Sequence, residues 1–252
     1  MTQKLVVLAQ PRTGSTLICS LLSSIPNSRV LVEPINPAGH KHHMQPKAGS
    51  RCLVPNNIAQ NNIEFVLDKL FDPNELPESW SISHKTAEAC AGFKIMAHQI
   101  HALNSKFEFW EYLRQHDVKI ITVSRDNILQ QYVSDLIAQE TRQPACWDGK
   151  IRTAKIRIPI KTLKSELLRI REEKRFLNRQ VSTFDHKKLV YEKFKNNIAD
   201  VESILPWLLG KNFKLTTKLC KQNPDDLQRK IINYEEIVAE INKIGFNHLI
   251  KG

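Results

Sequence analysis

The first stretch of the chain constrains its fold more than any other. Residues 5–9 (LVVLA) are an unbroken apolar run. Without polar alternation, such a run suits a strand buried on both faces, as in a parallel sheet covered by helices. A polar turn follows at residues 11–16 (PRTGST), and residues 17–24 (LICSLLSS) read as helix. Residues 30–33 (VLVE), closed by Pro34, are a second short strand. Strand, turn, helix, strand opens an α/β domain.

The rest of the chain continues the alternation. Residues 62–71 are amphipathic at helical spacing, and 92–96 (GFKIM) read as a strand. Residues 107–116 read as a helix with Phe107, Trp110 and Leu113 or Tyr112 facing inward. The β-branched run at 118–123 (VKIITV) is the clearest strand, followed by a helix over about 127–141 and a charged amphipathic helix over 159–176. A short strand is expected at 188–191, helix from there to about 209, and two helical stretches within 224–244 around Asn233 and Tyr234. No internal repeat or low-complexity linker divides the chain, so one domain over 1–252 is expected. Residues 36–61 shift toward Pro, Gly, His, Lys and Asn and are expected to form a mobile loop.

With 41% apolar residues among 252, the chain can fill a sizeable core. Its net charge of +11 attracts anions. Nucleic acid, an anionic membrane, an acidic polymer, a charged nucleotide and a merely lysine-rich surface all fit that number. Basic residues thicken between Lys150 and Lys195 but form no tail, and aromatic residues do not interleave with them as in single-strand binders. A nucleic-acid module is therefore disfavoured. Cys19, Cys52, Cys90, Cys146 and Cys220 are well separated, with no C-x-x-C, so neither a zinc site nor a disulfide framework is indicated. His40, His42 and His43 cluster in the 36–61 segment without a matching carboxylate or cysteine pair. The first apolar stretch is shorter than a signal peptide requires, and no run approaches the about 20 residues of a membrane helix. The expectation is a cytoplasmic chain with no membrane span and no metal; a homodimer stays open.

The turn at 11–16 carries the chemistry. A strand-to-helix junction is where α/β sheets bind phosphates, because the first helical N–H groups lack partners. Arg12 offers a planar fork for phosphate or sulfonate oxygens. Thr13, Ser15 and Thr16 offer hydroxyls, and Gly14 permits close backbone approach. The residues alone leave two readings: an anion site, or a plain helix cap at Thr13 or Ser15. The nucleoside-triphosphate loop needs a second glycine and a lysine, which are missing. That disfavours a small phosphotransferase, the alternative enzyme.

The loop has a companion. Residues 120–134 (IITVSRDNILQQYVS) run from a strand ending at Arg125 into a helix carrying Ser134. Together, residues 11–17 (PRTGSTL) and this second segment resemble the paired signature of sulfotransferases that use 3′-phosphoadenosine 5′-phosphosulfate (PAPS). The bacterial carbohydrate enzymes, of trehalose and nodulation-factor type, are the nearest in character. The QYVS stretch, Ile137, Ala138 and Trp147, and the GFKIM strand with Gln99, add to it. Asp126 after Arg125 departs from the Arg-x-Pro or Arg-Arg of many members, and Lys218 or Lys221 are candidates to assist there.

The resemblance implies a P-loop-like three-layer α/β sandwich with a central parallel sheet flanked by helices. It implies that Arg12, Thr13, Gly14, Ser15 and Thr16 hold the phosphosulfate, that Arg125 and Ser134 hold the 3′-phosphate, and that the acceptor is a hydroxyl of a carbohydrate or lipid-linked molecule. It places the general base at Glu33, with a pKa raised by burial; His40, His98 and His101 are rivals. Lys94 would touch the sulfuryl group or sit at the sheet edge. Trp80, Trp110 and Trp147 would stack on sugar rings or belong to the core. From the residues alone, Arg125 also suits a surface ion pair with Asp126 or Glu140.

Overall fold

The computed structural model describes residues 2–35, 62–72, 88–147, 149–220 and 226–250. The loop expected at 36–61, with His40, His42 and His43, lies outside them, as do Cys52, Trp80 and Lys221.

The apolar runs become a parallel sheet. Its strands are β1 (Gln3–Ala9), β2 (Ser28–Val32), β3 (Cys90–Met96), β4 (Lys119–Ser124) and β5 (His186–Val190), in the order β2-β3-β1-β4-β5. β1 is central. It pairs with β3 from Gln3 opposite Cys90 to Ala9 opposite Met96, and with β4 from Leu5 opposite Lys119 to Ala9 opposite Val123. The C-terminal ends of the three middle strands are thus level. At Gly92 a Cβ would stand 2.6 Å from the carbonyl oxygen of Leu5, so a side chain there would push β1 and β3 apart.

Alternation along the strands builds two cores. Val6, Leu8, Phe93, Ile95 and Ile120 face helices α2 (Ile63–Phe71) and α4 (Lys106–Gln115). Leu5, Val7, Ala9, Ile121 and Val123 face α1 (Ser15–Leu22). The three-layer α/β sandwich with a central parallel sheet is as expected. Each fully buried Leu, Ile or Phe contributes roughly 1.5–3 kcal/mol. Short α3 (Ala97–His101) follows β3 directly. α5 (Ile128–Thr141), α6 (Ile160–Val181) and α10 (Tyr234–Lys243) share a third apolar cluster. α6 runs five residues past the expected end because Leu177 and Val181 continue its buried stripe into the first core.

Three local expectations are corrected. Phe107 is 74% exposed, whereas Phe109, Trp110, Tyr112 and Leu113 are buried. The inward stripe starts at Phe109, where Tyr112 stacks on Phe71 and its hydroxyl donates to Asp68 at 2.6 Å. The helix expected up to about residue 209 is three short ones, α7 (Tyr191–Phe194), α8 (Ala199–Glu202) and α9 (Leu205–Leu209). The Asn197 side chain, accepting from the Ala199 N–H, restarts the chain between the first two. Among residues 226–233 there is a turn, not a helix; Ile231 bridges to Ile156, and the Asn233 amide bonds both the N–H and C=O of Ile158 at 3.0 Å.

Candidate active site

The level strand ends bring three segments together at one edge of the sheet: the turn after β1, Glu33 after β2, and the start of α5 after β4. In open α/β sheets this carboxyl edge is where ligands bind.

The turn after β1 does not cap its own helix. Gly14 is the N-cap residue of α1, at φ +80°, and no side chain caps the helix among the described residues. The Thr13 hydroxyl instead donates back to the Gln10 carbonyl at 2.9 Å, and Ser15 is buried as the first helical residue. The plain-cap reading of Thr13 or Ser15 therefore does not hold, and among the described residues no side chain caps the first N–H groups of α1. Gly14 also serves a packing purpose. A Cβ there would meet the Tyr191 ring at 2.6 Å and Phe194 at 3.1 Å, so glycine makes room for aromatic packing over the turn.

Arg12 sits at φ +64°, a conformation that disfavours a side chain by about 1–2 kcal/mol. Its Nε donates to Ser134 Oγ at 3.1 Å, and the guanidinium also donates to the Pro144 carbonyl. Gln131 Nε2 donates to the Pro11 carbonyl at 2.9 Å. The turn is thereby tied to α5, which joins the two segments the sequence paired.

At the second junction Arg125 is buried. Its Nη2 donates to Gln130 Oε1 at 2.7 Å, its Nε lies 3.5 Å from Glu192, and its guanidinium lies 4.6 Å over the Tyr191 ring. Asp126, one of the two surface partners expected for it, pairs with Lys174 at 3.1 Å. Glu192 also accepts from the N–H groups of Asp126 and Asn127, at 3.0 and 3.3 Å. Ser134 is 8% exposed. The buried hydroxyl of Ser124 makes no hydrogen bond among the described residues. Burial lowers the pKa of Arg12; Asp135 opposes this and the nearby Arg125 charge adds to it. Two cations brought this close favour an anion between them.

Glu33 follows β2 at φ +53°, its N–H bonded to the Lys94 carbonyl at 3.1 Å. Its Oε1 lies 2.8 Å from Lys94 Nζ, and its Oε2 accepts from Gln99 Nε2 at 3.0 Å. Gln99 is fixed in turn, since its Oε1 accepts from the Met96 N–H at 2.9 Å. Lys94, only 1% exposed, also donates to Thr16 Oγ1 at 3.0 Å. A continuous polar chain therefore runs from the phosphate-type turn to the carboxylate. The pKa expected for Glu33 is corrected. Burial pushes it up, but the Lys94 charge, the bonds from Lys94 and Gln99, and His98 outweigh burial, and the carboxyl is held below the usual range.

Of the described histidine rivals, His98 acts on Glu33 only from its flank, and His101 packs away from it. His98 and His101 are exposed on α3, His101 packing on Phe176 at 4.1 Å between ring centroids. Trp110 is a core residue, while Trp147 is 49% exposed three residues beyond Pro144. Lys218 is exposed and no bond to Arg125 or Ser134 involves it among the described residues. Tyr191, Glu192 and Gln131 were not marked as site residues. Gln131 lies in the QYVS stretch of the resemblance, whereas nothing local in a sequence shows that the short edge strand before Tyr191 and Glu192 ends against another junction. Among the described residues no group of three His, Cys, Asp or Glu side chains is placed to hold a metal ion, and no helix is long and apolar enough to cross a membrane.

No family model matches the chain, and no curated protein matches its sequence. Among solved structures, its fold is similar to that of a sulfotransferase from Alicyclobacillus acidocaldarius. That likeness covers all of this chain and 97% of the other, at 12% identity and a TM-score of 0.48. At such values it bears no weight on the chemistry.

Proposed function

We propose that the protein is a sulfotransferase that moves the sulfuryl group of PAPS onto a hydroxyl, with a carbohydrate or lipid-linked sugar as acceptor. The observation that carries this reading is the 3.1 Å bond from Arg12 to Ser134. It sets an uncapped helix start and a second arginine-bearing junction side by side. A donor with a phosphosulfate and a separate 3′-phosphate needs two such neighbouring anion sites, which a nucleoside triphosphate does not.

In this reading the N–H groups of α1, Arg12 and Thr16 hold the phosphosulfate, and Arg125 and Ser134 face the 3′-phosphate. Glu33 accepts the acceptor's proton as the acceptor oxygen bonds to sulfur. The bond from sulfur to the phosphate oxygen breaks, and its electron pair leaves with adenosine 3′,5′-bisphosphate. The products are a sulfate ester and the bisphosphate, with the proton on Glu33. Arg12 and the α1 N–H groups stabilise charge growing on the leaving oxygen, as in phosphoryl transfer. The scheme needs no metal ion.

Calorimetric titration with adenosine 3′,5′-bisphosphate, with ATP and magnesium as the control, tests the donor class. Micromolar binding of the bisphosphate without ATP binding is expected. ATP binding alone would replace this reading with the phosphotransferase.

A further inference from the structure

Lys94 is one of the largest fully buried side chains, yet it carries a charge and lies between two functional groups. An ammonium has three donors. Among the described residues Lys94 uses one on Glu33 Oε1, at 2.8 Å, and one on Thr16 Oγ1, at 3.0 Å. Thr16 belongs to the first turn of α1, where an anion is expected; Glu33 is the carboxylate of the site.

Building on the sulfuryl-transfer reading, we infer that Lys94 is a cation shared between Glu33 and the anion held by the α1 turn, so that filling the turn turns Glu33 from a paired carboxylate into a proton acceptor. The Lys94 interaction shifts from Glu33 toward the bound anion, and the acceptor's proton goes to Glu33.

A purely structural ion pair fits the arrangement poorly. With Lys94 1% and Glu33 30% exposed, desolvation of the lysine offsets much of the pair's attraction. This pair also joins a residue at φ +53° to a hydroxyl on another element. The remaining neighbours leave Lys94 in control. On α1, Cys19 has its thiol pushed up to about 12 by burial, so it adds no charge at neutral pH. On α3, Gln99 is neutral, and His98 acts on Glu33 less strongly than Lys94 and Gln99 do. With Lys94 in place Glu33 is held low, a state that resists taking a proton. Drawing Lys94 away raises its proton affinity only when donor is present.

By linkage, donor binding and Glu33 protonation then favour each other. The test labels glutamate carboxyls with carbon-13, assigns Glu33 with Glu33→Gln, and titrates by NMR with and without adenosine 3′,5′-bisphosphate plus inorganic sulfate. The Glu33 midpoint should rise on addition of the ligands. In Lys94→Met it should start higher and move less. Calorimetry gives a second readout: Lys94→Met should bind the bisphosphate about 10-fold more weakly, Glu33→Gln should bind it more tightly than wild type, and the double variant should match Lys94→Met. If Lys94→Met does not fold, Thr16→Val, which breaks the same chain, should also shrink the ligand-induced rise.

An unmoved Glu33 midpoint in a protein that binds the bisphosphate overturns this inference and leaves the sulfotransferase reading standing. An equal rise in wild type and Lys94→Met also overturns it, since the ligand's own field would then suffice. Failure of the wild type to bind the bisphosphate removes both.

Discussion

The junction after β1 and the junction after β4 lie side by side at one sheet edge, each pairing an arginine with a helix start, and they are finished differently. α1 starts at Gly14 with no side-chain cap. α5 is capped by Asn127, which accepts from the Gln130 N–H at 2.9 Å, and the carboxylate of Glu192 occupies the N–H groups of Asp126 and Asn127. Among the described residues the first helix start has no side-chain partner; the second is satisfied by the protein. Anion binding at the first can therefore use backbone N–H groups, while at the second it must rely on Arg125 and Ser134. In the proposed reaction the first suits charge that develops during transfer, and the second suits a fixed group that anchors the donor.

Arginine removal should separate the two. Arg12→Ala is expected to lower kcat by about 10²–10³, in line with losing one donor to a developing oxyanion, with a smaller loss of bisphosphate affinity. Arg125→Ala is expected to weaken bisphosphate binding by about 10–100-fold, the loss of one or two charge-assisted bonds, with kcat at saturation little changed. Steady-state kinetics and calorimetry on both variants give the answer. An Arg125→Ala protein with unchanged affinity sinks the anchoring role, and equal effects on kcat and affinity in both variants erase the distinction between the junctions.

A smaller effect belongs to stability. Gly14→Ala places a Cβ against Tyr191 at a left-handed position. Strain of about 1–2 kcal/mol and overpacking of about 1–3 kcal/mol oppose it. A lower denaturant midpoint is expected, and a loss no larger than the backbone strain alone would show that Tyr191 moves freely off the turn.

The sequence disclosed these junctions unequally, for physical reasons. The strands were legible because parallel strands need continuous apolar runs, as in residues 5–9 and 118–123. Arg12, Arg125, Ser134 and Glu33 were legible because each follows directly from a strand end or a helix register. Gly14 was legible as a special backbone position, but its neighbour was not, since Tyr191 lies far along the chain and reaches the turn only through the pairing of β5 with β4. Phe107 was misplaced because two overlapping helical stripes, one from Phe107 and one from Phe109, both look apolar until Phe71 selects one. The depressed pKa of Glu33 was hidden for a related reason. Burial was readable from strand position, but the compensating Lys94 depended on register, which sets Val32 opposite Lys94.

Glu192 sharpens the contrast between the junctions most finely. It lies 3.5 Å from Arg125 and bonds two N–H groups ahead of α5, so it stands in the place of an anion. Glu192→Gln removes its charge but keeps an amide oxygen for one of those bonds. Two opposite effects follow from the same change. The helix start loses a favourable carboxylate, worth about 0.3–1 kcal/mol at a helix N-terminus, so the denaturant midpoint should fall slightly. Arg125 loses a competing carboxylate, so bisphosphate affinity should rise by about 2–5-fold, the size of a partly exposed ion pair. A few-fold weaker affinity would instead make Glu192 a support that aims Arg125, and the second junction would then need its carboxylate as much as the first needs its uncapped helix.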